Sequence, residues 1–223
     1  MNFQFDWHAA LDCIPSLLSG LPLTLLISVV GVLIGMFLGV AFGMLRLAPQ
    51  WYLRMVAVVY IEVFRGTPVL VQVLFIFYGL PSIIGFPLDP LTAAIAAIAV
   101  NSGAYISEVV RGGVSSIDKG QQEAGLSLGL GPVQTFAQII WPQALKRMAP
   151  ALGNQAITSI KDTSLFSVIG IGELVRQGQI YIAATFNALE VYLVIGLFYL
   201  ALTLSLSVLI HLYERSQLMG RSR

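Results

Sequence analysis

The stretch EAGLSLGLGPVQTFAQIIWP, from Glu123 to Pro142, decides how the rest of the chain is interpreted. Its first residues favour a short helix, Gly129 marks a turn, and the residues after Pro132 favour a second short helix that ends near Pro142. The stretch belongs to a soluble-looking loop, about 114–150, between two long apolar segments. Neighbouring helices are usually joined by about two to eight residues. A loop of this length therefore predicts a helical hairpin with a task of its own.

The composition around this loop is that of a membrane protein. Of the 223 residues, 57% are hydrophobic and 10% are charged, and the mean hydropathy of +0.84 is far from that of an ordinary soluble domain. The net charge of +1 gives no field that would attract nucleic acid. The single Cys13 excludes an internal disulfide, and with only two histidines we expect no metal site.

Five apolar stretches are long enough for the roughly 20 residues that a bilayer core requires. They are 21–45, 55–88, 90–112, 149–174 and 191–210. The first has a glycine at every fourth position from Gly31 to Gly43, a spacing that favours close helix packing, although glycine is common in membrane helices anyway. The fourth is broken by Lys161 and Asp162, at a depth where an uncompensated charge costs at least ~2.5 kcal/mol. These two side chains should face a cavity or a partner.

The basic residues predict which loops are cytoplasmic. They cluster in three places: Arg46 and Arg54 between the first two spans, Lys119, Lys146 and Arg147 between the third and fourth, and Arg215, Arg221 and Arg223 in the tail. The opposite segments, 1–20, 81–90 and 176–188, offer only Arg176. We therefore expect an extracytoplasmic segment 1–18, a membrane domain 19–212 and a cytoplasmic tail 213–223. Residues 1–10 contain no Lys or Arg, so the first span should remain in the mature protein.

The hairpin stretch resembles the coupling-loop signature of type I ABC importer permeases: EAA, three residues, Gly, nine residues, Ile-x-Leu-Pro. The spacing fits throughout, with Gly125 in place of alanine and Trp141 in place of leucine. The resemblance implies that six residues couple the chain to an ATPase: Glu123, Ala124, Gly125, Gly129, Ile139 and Pro142.

Other segments are similar to permeases for polar amino acids. They are 62–68 (EVFRGTP), 101–108 (NSGAYISE) with Arg111, and 161–165 (KDTSL). The segments 153–155 and 176–179 look closest to bacterial glutamine permeases, so glutamine is the first expectation, with glutamate, histidine and arginine as alternatives. The implied fold is all-α, a type I ABC importer fold with five transmembrane helices in the bacterial inner membrane.

The same resemblance implies the partners. We expect a second permease copy, forming a homodimer in the lipid, an ABC ATPase dimer on the cytoplasmic side, and an extracytoplasmic amino-acid-binding protein. No phosphate-binding loop of the form GxxxxGK[ST] occurs in the chain. The chain is therefore expected to be a transport subunit and not an enzyme, with no cofactor of its own and with ATP and Mg on the ATPase.

The candidate substrate-binding residues follow from the need for polar groups inside the membrane. We expect Asp162 to neutralise the α-ammonium of an amino acid, with hydrogen bonds from Thr163 and Ser164. Asn101 and Tyr105, four residues apart on one helix face, could bind a polar side chain. Glu62 completes this set.

Two other interpretations of the charged residues stay open at this point. Asp162 could instead form a structural ion pair with Arg65, Lys161 or Arg111. Lys161 and Asp162 could also serve as a relay in an ion-coupled secondary transporter or channel, although no second copy of the loop or of the charged break is visible. Glu108 and Arg111, three residues apart, are expected to form a structural ion pair.

Overall fold

A computed structural model of the chain describes residues 5–219, which form helices and no strand. The α-helices of this range are α1 Trp7–Asp12, α2 Ile14–Arg46, α3 Trp51–Arg65, α4 Val69–Leu74, α5 Leu80–Ile84, α6 Pro90–Ser115, α7 Lys119–Ser127, α8 Pro132–Thr135, α9 Trp141–Asp162, α10 Leu174–Thr185 and α11 Ala188–Met219. Two π turns, Phe75–Gly79 and Phe136–Ile140, and a 3-10 helix, Thr163–Ile169, join some of them. Residues 1–4 of the expected outer segment, and Arg221 and Arg223 of the tail, lie outside the described residues.

Three helical stretches of the described chain are long and apolar enough to cross a bilayer: Trp7–Arg46, Pro90–Ser115 and Ala188–Tyr213. They contain the first, third and fifth predicted spans. The second predicted span is not one straight helix, because α3 and the run from α4 to α5 meet at 102°. Counted as one crossing, this bent pair gives four. The fourth predicted span, 149–174, is not a single long helix either, since α9 ends at Asp162 and a 3-10 helix follows it.

The packing of α2 against α6 uses the predicted glycine series. Gly31, Gly35, Gly39 and Gly43 are all buried. A methyl group at any of them would come closer than 3.0 Å to a side chain of α6, at Ile98, Ser102, Ile106 and Val110 respectively. The packing role predicted from the spacing is confirmed. Because the residue numbers rise together on both helices, α2 and α6 run in the same direction, and α3, α4 and α5 bring the chain back between them.

Each π turn is followed, one residue later, by a proline. Pro81 is the second residue of α5 and Pro142 the second residue of α9. Proline lacks an N–H, and its ring clashes with a carbonyl of the preceding turn of a regular α-helix; the wider π turn relieves that clash. The prediction that the second hairpin helix ends near Pro142 is therefore wrong. From Pro132 to Asp162 the chain is helical without interruption.

The segment after α9 ends in a buried contact with α2. Glu173, which is fully buried, accepts hydrogen bonds from two backbone N–H groups of the first turn of α10, at 2.7 and 2.9 Å, and from the Tyr199 hydroxyl at 3.2 Å. The N–H of Leu174 donates to Thr24 Oγ1 at 3.2 Å. These bonds hold the start of α10 beside the first half of α2.

The start of α6 is capped by Asp89. Its carboxylate accepts hydrogen bonds from the hydroxyl and from the backbone N–H of Thr92, the latter at 3.0 Å. The bond from the Thr92 hydroxyl, and to a smaller extent the bond from its N–H, lower the pKa of Asp89 below its ordinary value. The cap satisfies an N–H group that has no partner within the helix and so fixes where α6 begins.

Candidate functional site

The sharp bend between α3 and α4, at residues 66–68, is called the elbow below. Thr67 precedes a proline, which disfavours helical backbone at that position, and Pro68 itself is extended, with φ −63° and ψ 138°. The helix therefore stops at Arg65 and restarts at Val69 in a new direction. The break leaves the last carbonyls of α3 without helical partners.

Gln72 supplies the missing partners. Its Nε2 donates to the backbone oxygen of Phe64 at 2.8 Å, to that of Thr67 at 3.0 Å and to the Thr67 hydroxyl at 2.9 Å. Gln72 is buried, where a carbonyl left unpaired would cost about 1–3 kcal/mol. Its Oε1 accepts a hydrogen bond from Asn101 Nδ2 at 3.1 Å, which ties the elbow to α6.

A polar cavity of about 550 Å³ opens beside the elbow, a volume within the usual range of small-molecule sites. The elbow backbone forms one wall, and α6 and α9 form the others. The polar residues that line it are Arg65, Thr67, Asn101, Tyr105, Gln155, Thr158 and Asp162. The cavity thus holds one cationic and one anionic side chain, with neutral hydrogen-bonding groups between the helices that supply them.

The two charged side chains of the cavity, Arg65 and Asp162, do not form an ion pair with each other. The ion pairs of the described residues both involve Glu108, and Asp162 takes part in neither. The structure therefore does not contain the alternative in which Asp162 pairs with Arg65, Lys161 or Arg111. Arg65 instead lies over the ring of Tyr105, with its guanidinium carbon 5.2 Å from the ring centre, a cation–π contact that holds the side chain in place.

The structure brings three of the predicted substrate-binding residues together: Asp162, Asn101 and Tyr105 all line the cavity. Three others are not among its lining residues. Thr163 is buried, with its hydroxyl donating to Ile160 O at 2.7 Å. Ser164 donates to Lys161 O at 2.7 Å, and Glu62 is exposed on α3.

Sequence reasoning missed Gln72, Gln155 and Thr158 and considered Arg65 only as an ion-pair partner. A signal for two of them was present, because residues 155, 158 and 162 are spaced to share one helix face. Gln72 gave no comparable signal, since it stands alone in an apolar run.

Glu108 and Arg111 form the ion pair expected from their spacing. Arg111 donates to Glu108 Oε2 from Nε at 2.9 Å and from Nη2 at 2.7 Å. Arg46 Nε lies 3.6 Å from the other carboxylate oxygen. The contact of Arg46 with Glu108 links the end of α2 to α6, and these three residues lie outside the cavity lining.

The residues from α7 through the second π turn, 119–140, form the hairpin. Gly129 occupies its turn with φ +81°, a backbone conformation that glycine adopts without steric cost. Gly125 is buried, and a methyl group there would lie 2.6 Å from Thr135 Cγ2 and 2.9 Å from Ile139 Cδ1. Gly125, which replaces the alanine of the signature, thus allows α7 to pack closely on the second arm of the hairpin, residues 132–140.

The tip of the hairpin is exposed and apolar. Leu128 is 80% exposed and Val133 is 81% exposed. Glu123 and Ala124, the first residues of the signature, are exposed on α7, and Pro142 is exposed where α9 begins. An apolar tip of this kind marks a surface that another protein can cover.

Two side-chain contacts of α9 hold the base of the hairpin, one to α7 and one to the residue that follows α6. Gln143 of α9 donates to Gln121 of α7 at 3.0 Å. Arg147 of α9 donates to the backbone oxygen of Ser116 and, at 3.1 Å, to its hydroxyl. The helical run that starts in the hairpin at Pro132 continues as α9, which supplies Gln155, Thr158 and Asp162 to the cavity. Among the described residues, no group of three His, Cys, Asp or Glu is placed to hold a metal ion.

The chain is similar in sequence and in structure to known transport proteins. Residues 31–218 match the family described as binding-protein-dependent transport system inner membrane component. The glutamine transport system permease protein GlnP of Escherichia coli is 51% identical over 213 residues, which cover 95% of this chain and 97% of that protein. The arginine transport system permease protein ArtQ of Bacillus subtilis is 38% identical over 212 residues, covering 95% and 97%.

Solved structures give the same result. A crystal structure of an amino acid ABC transporter with histidines contains a chain that is 37% identical, with a TM-score of 0.89 over 96% of this chain and 100% of that one. The MetNI methionine ABC transporter, at 22% identity and a TM-score of 0.77 over 91% and 96%, shares the fold. The resemblance found in the sequence is confirmed: this chain belongs to the inner-membrane permease components of binding-protein-dependent transport systems, among the amino-acid ABC importers.

Proposed function

We propose that this permease translocates glutamine and that the cavity beside the elbow holds the amino acid in transit. In this proposal Arg65 binds the α-carboxylate and Asp162 binds the α-ammonium, each through a charge-assisted hydrogen bond. Asn101 and Tyr105 contact the substrate side chain. The observation behind the assignment is that one cationic and one anionic side chain line the same cavity without forming an ion pair with each other.

The charge balance of the cavity favours a substrate with a neutral side chain. Its lining carries one positive and one negative group, which match the two charges of the amino-acid backbone and leave none for a charged side chain. The side chain of arginine or glutamate would bring an uncompensated charge into a site where an unpaired charge is energetically unfavourable. A carboxamide needs only hydrogen bonds, and Gln155 and Thr158 can supply them. The name of the Escherichia coli relative supports the same substrate.

The second part of the proposal is that the hairpin couples the cavity to ATP hydrolysis. ATP and Mg would bind a separate ATPase dimer, which would contact Glu123, Ala124 and the exposed tip. The uninterrupted helical path from Pro132 to Asp162 spans roughly 45 Å at the rise of an α-helix. Movement of the hairpin would therefore be passed along α9 to Gln155, Thr158 and Asp162.

We further propose five membrane crossings, with the N-terminus outside and the C-terminus in the cytoplasm. Because α2 and α6 run in parallel, the bent run from α3 to α5 must cross back between them. The chain then passes from the hairpin, beside the end of α6, to Leu174, beside Thr24 in the first half of α2. Residues 141–174 thus supply a fourth crossing, in two pieces, and α11 supplies the fifth.

The proposed assembly contains two copies of this chain. An extracytoplasmic binding protein would deliver glutamine to the outer side, and the family description supports such a protein. The inner side would carry the basic residues Arg46, Arg54 and Arg147, as expected for cytoplasmic loops. Arg46 contacts Glu108 in the second half of α6, and Arg147 contacts Ser116, the residue after α6, next to the hairpin.

The test is uptake of labelled glutamine by liposomes that contain the permease with its ATPase and its binding protein. Asp162→Asn and Arg65→Gln should each lower uptake at limiting glutamine at least about tenfold, since each removes a charged partner of the substrate. Glu62→Gln, at an exposed position outside the cavity, is the matched control. Unchanged uptake in both cavity variants would reject the substrate site, and uptake driven by an ion gradient without ATP would reject the coupling.

A further inference from the structure

The hydrogen bonds at the elbow determine how the Gln72 amide is oriented. Its nitrogen lies within 3.0 Å of two backbone oxygens, those of Phe64 and Thr67. Backbone oxygens only accept hydrogen bonds, so the NH2 end of the Gln72 amide must point toward them. The oxygen end then faces Asn101 on α6, 3.1 Å away.

This orientation fixes the amide of Asn101 in turn. An oxygen that faces Asn101 requires a donor, so Nδ2 of Asn101 points to Gln72 and also approaches Phe64 O at 3.4 Å. Within the part of the chain that the structure describes, no donor reaches the other end of the amide, Oδ1. Since Asn101 lines the cavity, the atom that it can offer to a ligand is a hydrogen-bond acceptor.

We propose that Gln72 is a specificity-determining positioning residue. It does not line the polar cavity, but by holding Asn101 in one orientation it makes the cavity select substrate side chains that donate a hydrogen bond. The NH2 group of a carboxamide satisfies Oδ1, whereas a side-chain carboxylate or ester offers only acceptors and meets Oδ1 unfavourably. A site that is built to bind a donor rejects an analogue without it far more strongly than a site that only fits the shape.

The inference rests on the proposed function, because it needs an amino acid in the cavity. It adds a separate claim, that discrimination between an amide and its acceptor-only analogue depends on a residue that does not touch the ligand. The glutamate γ-methyl ester is a suitable analogue, since it is close to glutamine in shape and has no side-chain N–H.

The experiment uses the purified permease–ATPase complex without the binding protein, so that only the cavity selects. Labelled L-glutamine is displaced by unlabelled L-glutamine or by L-glutamate γ-methyl ester. We expect the ester to bind at least about tenfold more weakly, the size of one hydrogen bond in a buried site. In Gln72→Leu the Asn101 amide can turn over and donate through Nδ2, so the ratio of the two affinities should fall to about twofold.

Two further variants separate specificity from damage to the elbow. Thr67→Val removes one of the bonds to Gln72 and a hydroxyl from the cavity lining but keeps both backbone oxygens that orient Gln72, so both affinities should fall together and their ratio should stay. Asn101→Leu removes the acceptor while leaving the three bonds between Gln72 and the elbow, so the ratio of the glutamine and ester affinities should collapse. This variant tests the proposal even if Gln72→Leu does not yield folded protein.

Each outcome is decisive for one of the two claims. If the unaltered complex binds no glutamine, the proposed function fails. If it binds glutamine and the ester equally, or if Gln72→Leu and Asn101→Leu leave the ratio unchanged, the role of Gln72 is rejected while the glutamine site stands.

Discussion

The chain turns sharply at the elbow and at the tip of the hairpin, and it satisfies its backbone differently in the two places. At the elbow, a buried glutamine donates to two carbonyls and to a hydroxyl, and a second amide on α6 completes the network. At the hairpin tip, Gly129 takes a left-handed conformation and donates to Leu126 O at 3.0 Å, in a turn that is exposed. The difference follows from the surroundings, because the elbow packs on the buried Gln72 side chain whereas the hairpin turn faces solvent, and a backbone group costs more to leave unpaired where water reaches it less.

At both bends a glutamine side chain forms a hydrogen bond with the backbone, so the same substitution can be compared at the two sites. Gln72 is buried, whereas Gln134 is exposed and accepts from the Gly131 N–H at 3.0 Å. Gln72→Leu should lower the free energy of unfolding by about 1–3 kcal/mol, because it removes the donor to the part-buried carbonyls of Phe64 and Thr67. Gln134→Leu should cost less than about 0.5 kcal/mol, since water replaces the lost bond. Thermal unfolding of the purified permease in detergent measures both.

If Gln72→Leu and Gln134→Leu lower the free energy of unfolding equally, the proposed difference between the elbow and the hairpin turn is wrong. That result would mean that water reaches the elbow carbonyls, and the network of Gln72 and Asn101 would then be a local contact with no special energetic role.

A second prediction concerns the strained residue of the hairpin turn. Gly129→Val should cost about 1–2 kcal/mol, because a β-branched side chain is disfavoured at φ +81°. Gly129→Asn should cost less, since asparagine tolerates that region. If the hairpin couples to the ATPase, ATP hydrolysis stimulated by substrate should fall in the order glycine, asparagine, valine while glutamine binding to the complex is unchanged. Full stimulation in Gly129→Val would count against a coupling role.

The smallest expected effect is at the contact between the two hairpin arms. Gly125→Ala gains up to about 1 kcal/mol of helix propensity but places a methyl group 2.6 Å from Thr135 Cγ2, so the net change should be near zero or slightly destabilising. Thr135 Oγ1 has no hydrogen-bond partner, so Thr135→Ala breaks no bond and makes room. We expect the double variant to unfold at a higher temperature than Thr135→Ala alone. If the double variant is less stable than either single variant, a methyl group at position 125 must also clash with hairpin residues other than Thr135, such as Ile139.

Local signals were enough to predict much of this fold. The glycine series of α2, the extent of α6 and the glycine turn at Gly129 each depend on residues close together in the chain, and each is present in the structure. The continuation of the helix through Pro142 was not predicted, because a π turn can absorb a proline and leaves no clear pattern in the sequence.

The cavity was harder to predict than the helices around it. Asp162, Asn101 and Tyr105 were found from charge and helical spacing, but Arg65 joins them only because the elbow turns the end of α3 toward α6 and α9. The 102° bend depends on the residue pair Thr67 and Pro68, which in a sequence could equally have ended a helix. Gln72 was missed for the same reason, since its partners exist only once the bend has formed.

The glycine series of α2 also limits how this protein can move. Ile98, Ser102, Ile106 and Val110 lie over glycines spaced by four, so sliding α2 along α6 by less than a full turn would drive these side chains into the bulkier residues between the glycines. The two helices are locked in register and should travel as one rigid body. Any change of access during transport must then come from elements that are free to shift against this pair, and the bent run from α3 to α5 and the long helix α9 are the ones that also reach the cavity.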